Sequence, residues 1–265
     1  MTTFTTVSVP VDGGSLTVRH RHGSAPTAVF LHYWGGSAGT WHQVIQHLGG
    51  QDVISYDQRG WGTAASVDGP YSLGQMATDV DAIAAHEGLE HVVLVGHSMG
   101  GKVAQIVAGT QPGYLSALVL VAPAPPRPPA HVTPEYQEQL AHAYDRADSV
   151  RFSLDNVLSY APLSEDLRQQ VIHDSLDSAP TARTVWPLHE ITADVWPSAS
   201  AITVPTLVLA GEHDQVEPPA VLQELLLPAI PQARMVILPG TGHLLPLEAP
   251  AEVAEEIRRF LEYVT

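Results

Sequence analysis

Three side chains could together perform acyl transfer: Ser98, Asp214 and His243. A serine hydroxyl is a poor nucleophile until a base removes its proton. A histidine does this best when a carboxylate fixes its tautomer and stabilises the imidazolium. With 14 histidines in the chain, abundance is uninformative and position must select. Ser98 lies in "VLVGHSMGGKVA" (93–104), with Gly96 and Gly100 two positions to either side. His243 follows the apolar run "MVILPG" through Thr241 and Gly242, and Asp214 closes "TLVLAGEHD".

The pattern G-x-S-x-G is weak alone, since a Gly-rich loop also satisfies it, and it carries weight only where it joins a strand to a helix. Here His91–Val95 reads as a short buried strand, and Lys102–Ala108 begins a helical pattern of apolar and small residues. A turn that sharp brings backbone against backbone at Gly96 and Gly100, strains Ser98 and pushes its hydroxyl outward. It also aims the first N–H groups of the helix at whatever sits beside that hydroxyl, which suits an oxyanion.

Each partner has a competitor. Glu217 stands three residues beyond Asp214, which could instead cap the helix near Pro218. His213 is adjacent and is expected to point elsewhere. Asp57 in "YDQRGWG" also follows a strand, yet with Arg59 and two glycines it reads better as tying down a turn. Glu248 is expected to support the loop of His243.

Positioning these residues requires a sheet. Alternation in "FTTVSVPV" and "SLTVRHRH" suggests a hairpin across Asp12-Gly13-Gly14, followed by six apolar runs that read as buried parallel strands: "TAVFLH", "DVISYD", "HVVLVGHS", "LSALVLVAP", "VPTLVLAG" and "ARMVILPG". Helical patterns lie between them, clearest at 73–89, 99–110 and 250–263. The expected fold class is α/β, a mostly parallel twisted sheet with helices on both faces. In such a sheet the strand ends share one edge, so Ser98, Asp214 and His243 would meet there. One stretch breaks the alternation. "PAPPRPPAHVTPEYQ" (123–137) leaves the sheet, and the next strand-like run begins near Val204. Short amphipathic helices are expected at 134–144, 150–158 and 164–176. The domain reading is a core over 1–123 and 200–265, with an inserted helical cap over 124–199 roofing the site.

Composition narrows the function. With 28 acidic against 12 basic residues, for a net charge of −16, nucleic acid and anionic membrane surfaces are not expected partners. There is no cysteine, so a thiol nucleophile, a disulfide framework and thiolate metal sites are excluded. "MTTFTTVSVPVDGG" lacks a basic and apolar leader and no run approaches 18 apolar residues, so a cytoplasmic protein is expected.

The elbow, with the order Ser, Asp, His, resembles the α/β-hydrolase superfamily over nearly the whole chain. The likeness rests on "GHSMGG", "GEHDQVEP", "GTGHLLPLEAP" and "FLHYWGGSAGTW". The last looks like the family's H-G-x-x-x-S segment after the third strand, and by that match the backbone N–H groups of Trp34 and Met99 would form the oxyanion hole. Tyr33 stands where the family usually has glycine, and either points away from the substrate or narrows the pocket. His32, Tyr33, Tyr160 and Trp186 are candidate pocket residues, with Phe152 and Trp196 as further aromatic candidates; each could equally hold the structure together.

The resemblance implies a serine hydrolase acting through an acyl-enzyme, with Ser98 as nucleophile, His243 as general base then acid, and Asp214 as orienting carboxylate. A carboxylic ester or lactone of a neutral, modest-sized small molecule is the expected substrate, and no metal or cofactor is called for. Family members using the same fold for C–C bond cleavage or other triad-dependent acyl chemistry keep those alternatives open, as does a receptor-like binding module. Dehalogenases and epoxide hydrolases carry aspartate at the elbow, against which Ser98 argues. Perhydrolase-type members typically carry a proline in the oxyanion segment, and "HYWGGS" has none.

Overall fold

Alternate residues of each central strand face opposite sides of the sheet, and both sides are covered. Val93 and Val95 join Phe30 and Val119 in one core cluster with Ile257 and Phe260, while Leu94 joins Val29 and Leu118 in another with Ile83 and Val103. Burial on both faces explains why these strands read as continuous apolar runs rather than alternating ones. Each fully buried valine or leucine contributes about 1.5–3 kcal/mol.

The computed structural model describes residues 4–264; residues 1–3 and 265, at the outer ends of the expected core spans, lie outside the described residues. The strands are β1 (Thr5–Val11), β2 (Gly14–Arg21), β3 (Ser24–Leu31), β4 (Gln51–Tyr56), β5 (Val92–His97), β6 (Leu115–Val121), β7 (Thr206–Gly211) and β8 (Arg234–Leu238). They form one sheet in the order β1-β2-β4-β3-β5-β6-β7-β8. β1 and β2 form the hairpin, Val11 pairing with Gly14, and β2 lies antiparallel to β4. All other pairings are parallel. β8 differs from the buried strand expected. It is an edge strand with Arg234 exposed and Ile237 44% exposed, because only β7 flanks it.

Among the helices, α1 (His42–His47) packs against α11 (Pro250–Val264), and α2 (Leu73–Glu87) against α3 (Met99–Gly109). Between β6 and β7 come α4 (Pro134–Ala141), α5 (Ala147–Ser153) running into a π-helical turn at Leu154–Leu158, α6 (Glu165–Leu176), α7 (Pro180–Leu188) and α8 (Trp196–Ser200). α7 and α8 were not expected from the sequence, since prolines at 180, 187 and 197 interrupt their patterns. α8 packs against α3, so closely that a Cβ on Gly109 would lie 2.5 Å from the Ser198 carbonyl oxygen. The excursion expected over 124–199 thus ends in a helix that belongs to the core's helical layer. α9 (Pro219–Leu225) and α10 (Leu245–Glu248) complete the chain. No helix among the described residues is long and apolar enough to cross a membrane.

β4 lies on one side of β3 and β5 on the other, so the strand order reverses between β3 and β5. Open α/β sheets bind ligands beyond the carboxyl ends of the strands at such a point.

Candidate functional site

Ser98 directly follows β5 at this reversal, with φ 53° and ψ −115°. Such a conformation costs of order 1–3 kcal/mol and must be enforced by its surroundings. Ser98 N donates to the Val121 carbonyl at 3.1 Å, and the Ser98 carbonyl accepts from Ala124 N at 3.1 Å, tying the turn to the end of β6. A Cβ on Gly96 would fall 2.4 Å from the Gly100 carbonyl oxygen, and one on Gly100 would fall 2.6 Å from that of His32. Both positions therefore require glycine.

His243 and Asp214 meet although 29 residues separate them: His243 Nδ1 lies 2.9 Å from Asp214 Oδ2, both side chains being almost fully buried. The other carboxylate oxygen of Asp214 accepts from Val216 N at 2.8 Å and Glu217 N at 3.0 Å, so the carboxylate cannot rotate away. Donation to the Asp214 carboxylate fixes the proton on Nδ1 and leaves Nε2 as the basic nitrogen. His97, next to Ser98, donates through Nε2 to the His243 carbonyl at 2.8 Å. Burial, and then the neighbouring His243, push His97 well below the usual histidine range. Glu248 braces the loop from the other side. One of its oxygens accepts from Gly242, Tyr160 and Ala161 N–H groups at 2.8–2.9 Å, and the other from Leu244 N at 3.1 Å.

The backbone N–H groups of Trp34 and Met99 make no hydrogen bond among the described residues. Met99 opens α3, where the helix leaves its first N–H groups free and partly positive. The Trp34 segment is fastened from several sides. Its indole stacks on Tyr144 at 4.0 Å and donates to the Arg183 carbonyl at 3.0 Å, while Ala38 N donates to Asp57 at 2.7 Å. Asp57 also accepts from Thr63 N and its hydroxyl, and Arg59 pairs instead with Asp79 at 2.7 Å.

A cavity of about 400 Å³ opens onto Ser98, bounded by Trp34, Tyr136, Leu140, Phe152 and Trp186 among others. Its described lining contains no lysine or arginine. Of the candidate pocket residues, Trp186 lines it and three do not. Tyr33 is buried with its ring 5.1 Å from that of His97, so it fills core volume beneath the loop and does not narrow the cavity. His32 is fully buried, with Nδ1 donating to the Tyr33 carbonyl and Nε2 accepting from Gln58 N, a structural role. Tyr160 is 57% exposed and stacks on His213, which turns outward. Trp196 instead packs beneath the Arg127 guanidinium, outside the cavity.

Sequence reasoning missed Tyr136, Leu140 and Ala143, which line the cavity at helical spacing in a pattern visible in "PEYQEQLAHAYD". Glu217, in sequence a rival to Asp214, lines the cavity itself. Among the described residues, His20, His22 and Asp52 could together hold a metal ion, but they sit at the opposite edge of the sheet from Ser98. His20 is already engaged by Asp52 and Glu87.

The family model described as "Serine aminopeptidase, S33" matches residues 24–250. The chain belongs to this family of the α/β-hydrolase superfamily and is a hydrolase. It is 31% identical to a non-heme haloperoxidase of Rhodococcus erythropolis over 83% of this chain and 86% of that protein. It is 29% identical to a pimeloyl-[acyl-carrier protein] methyl ester esterase of Yersinia pseudotuberculosis, covering 88% of this chain and 92% of that one. A bromoperoxidase of Bacillus anthracis, 21% identical, shares the fold with a TM-score of 0.88 over 97% of this chain and all of that one.

Proposed function

We propose that the protein hydrolyses a carboxylic ester or lactone of a neutral, modest-sized molecule through an acyl-enzyme on Ser98. Ser98 Oγ attacks the carbonyl carbon as His243 Nε2 takes its proton. Asp214 stabilises the resulting imidazolium, and the Trp34 and Met99 N–H groups hold the oxyanion. Collapse of the tetrahedral adduct breaks the C–O bond, and His243 returns the proton to the departing alkoxide. Water then attacks the acyl-enzyme by the same route in reverse, releasing the acid and restoring Ser98.

The observation that carries this reading is the buried 2.9 Å contact of His243 with Asp214 at the sheet edge where the strained Ser98 opens onto an apolar cavity. The absence of lysine and arginine from the described lining supports a neutral substrate. The segment α4–α7 acts as a cap that shapes the acyl and alcohol sites. Relatives named as ester hydrolases support ester cleavage. The test is a panel of p-nitrophenyl esters, lactones and β-diketones assayed on wild type and Ser98→Ala. Ester or lactone turnover that vanishes in Ser98→Ala is expected. Turnover of β-diketones alone would indicate C–C cleavage, and no turnover at all a binding module.

A further inference from the structure

Glu217 is the charged-type side chain out of place in this cavity. It is 7% exposed, lines the same space as Ser98, and its Oε2 is buried with no hydrogen-bond partner among the described residues. Its backbone is fixed, because Glu217 N donates to Asp214 Oδ1 at 3.0 Å. The turn that seats Asp214 thus also holds Glu217 beside the cavity that its side chain lines. A buried polar atom left unpaired costs about 1–3 kcal/mol, a cost that a bound partner can remove.

Resting on the hydrolase reading above, we infer that Glu217 is a specificity-determining residue whose carboxyl hydrogen-bonds a second carbonyl oxygen carried by the substrate, remote from the bond that is cleaved. Burial and the neighbouring Asp214 carboxylate hold the Glu217 carboxyl well above the usual carboxylate range, with Lys102 only partly opposing them. In its neutral form a carboxyl has one O–H to donate, and Oε2 has no hydrogen-bond partner among the described residues. A ketone or ester carbonyl, which accepts and cannot donate, complements that group. Lys102, itself pushed down to about 8 by burial, donates to the Ile191 carbonyl at 3.1 Å rather than to the Glu217 carboxyl. A site made to hydrogen-bond a substrate group discriminates against analogues lacking it more strongly than an apolar wall does.

The experiment compares p-nitrophenyl pentanoate, hexanoate and heptanoate with their 4-oxo, 5-oxo and 6-oxo counterparts. Each kcat/KM ratio is normalised to the ratio for alkaline hydrolysis, which removes the inductive effect of the ketone. Wild type should favour at least one oxo ester by about tenfold or more. Glu217→Gln retains a donor and should keep most of that preference, whereas Glu217→Leu should bring the ratio close to one, with folding verified by thermal melting. Equal use of oxo and plain esters by wild type overturns this inference and leaves the hydrolase reading intact, and so does a preference that survives Glu217→Leu. Failure to hydrolyse any of the six esters overturns this inference, and failure on the lactones as well overturns the hydrolase reading with it.

Discussion

Replacing Glu248 by Gln should loosen the His243 loop while leaving His243 and Asp214 chemically untouched. One carboxylate oxygen serves Gly242, Tyr160 and Ala161 N–H groups and the other serves Leu244 N, so a single side chain joins the His243 loop to the segment following α5. A glutamine presents one acceptor oxygen with two lone pairs and turns an NH₂ group toward at least one of these donors. Hydrogen bonds to a charged acceptor contribute about 1.5–3 kcal/mol and neutral ones about 0.5–1.5, so two bonds weaken by about 1 kcal/mol each and at least one more is lost. Allowing for partial exposure and non-additivity, the expected loss is about 2–4 kcal/mol, or a melting temperature lower by roughly 5–12 °C. Displacing a catalytic base by an ångström can cost about 10²-fold, so kcat on a p-nitrophenyl ester should fall by roughly 10- to 100-fold. The assay pairs thermal melting with steady-state kinetics. A variant melting within 1 °C of wild type with unchanged kcat would refute the bracing role.

The two carboxylates at strand ends should separate cleanly on mutation. Asp214→Asn should lower kcat by about 10⁴-fold with little unfolding, whereas Asp57→Asn, which turns an NH₂ group toward either Ala38 N or Thr63 N, should cost about 2–4 kcal/mol of stability measured by urea denaturation. The reverse pattern would mean the acid is misassigned. Stability should also fall on acidification. Burial holds His32 and His97 below the usual histidine range, so the unfolded chain binds more protons below about pH 6.5, and stability present above that pH is lost as pH falls, by at most about 1.4 kcal/mol per pH unit per histidine. Glu217, held high by burial and Asp214, works in the opposite sense, adding stability as pH falls toward the ordinary carboxylate range, so Glu217→Gln should steepen the decline on acidification. A urea midpoint that is flat or rises on acidification in that variant would contradict the placement of the two histidines.

Strands buried on both faces were legible because such burial leaves unbroken apolar runs, and the glycines around Ser98 were legible because the turn admits no Cβ at either position. The edge strand β8 read as buried, since "MVIL" is apolar whether one face or both is covered. Helices α7 and α8 escaped notice because their prolines break the periodicity, although proline near a helix start costs nothing in hydrogen bonds. Side-chain direction was the main thing hidden. Tyr33 stands one residue from a candidate oxyanion donor yet turns into the core against His97, and Tyr160 stacks outward on His213. Glu217 looked like a rival acid for His243; only the geometry of the turn shows that Asp214 takes the histidine and holds Glu217 beside the cavity.

Ser98 is expected to react as a nucleophile activated by His243. This is tested most directly by treating the protein with a fluorophosphonate and locating the adduct by intact mass and peptide mapping. One equivalent of label, on Ser98, is expected in wild type, and none in folded Ser98→Ala or His243→Ala. Label that survives Ser98→Ala, or that maps to another residue in wild type, would contradict it.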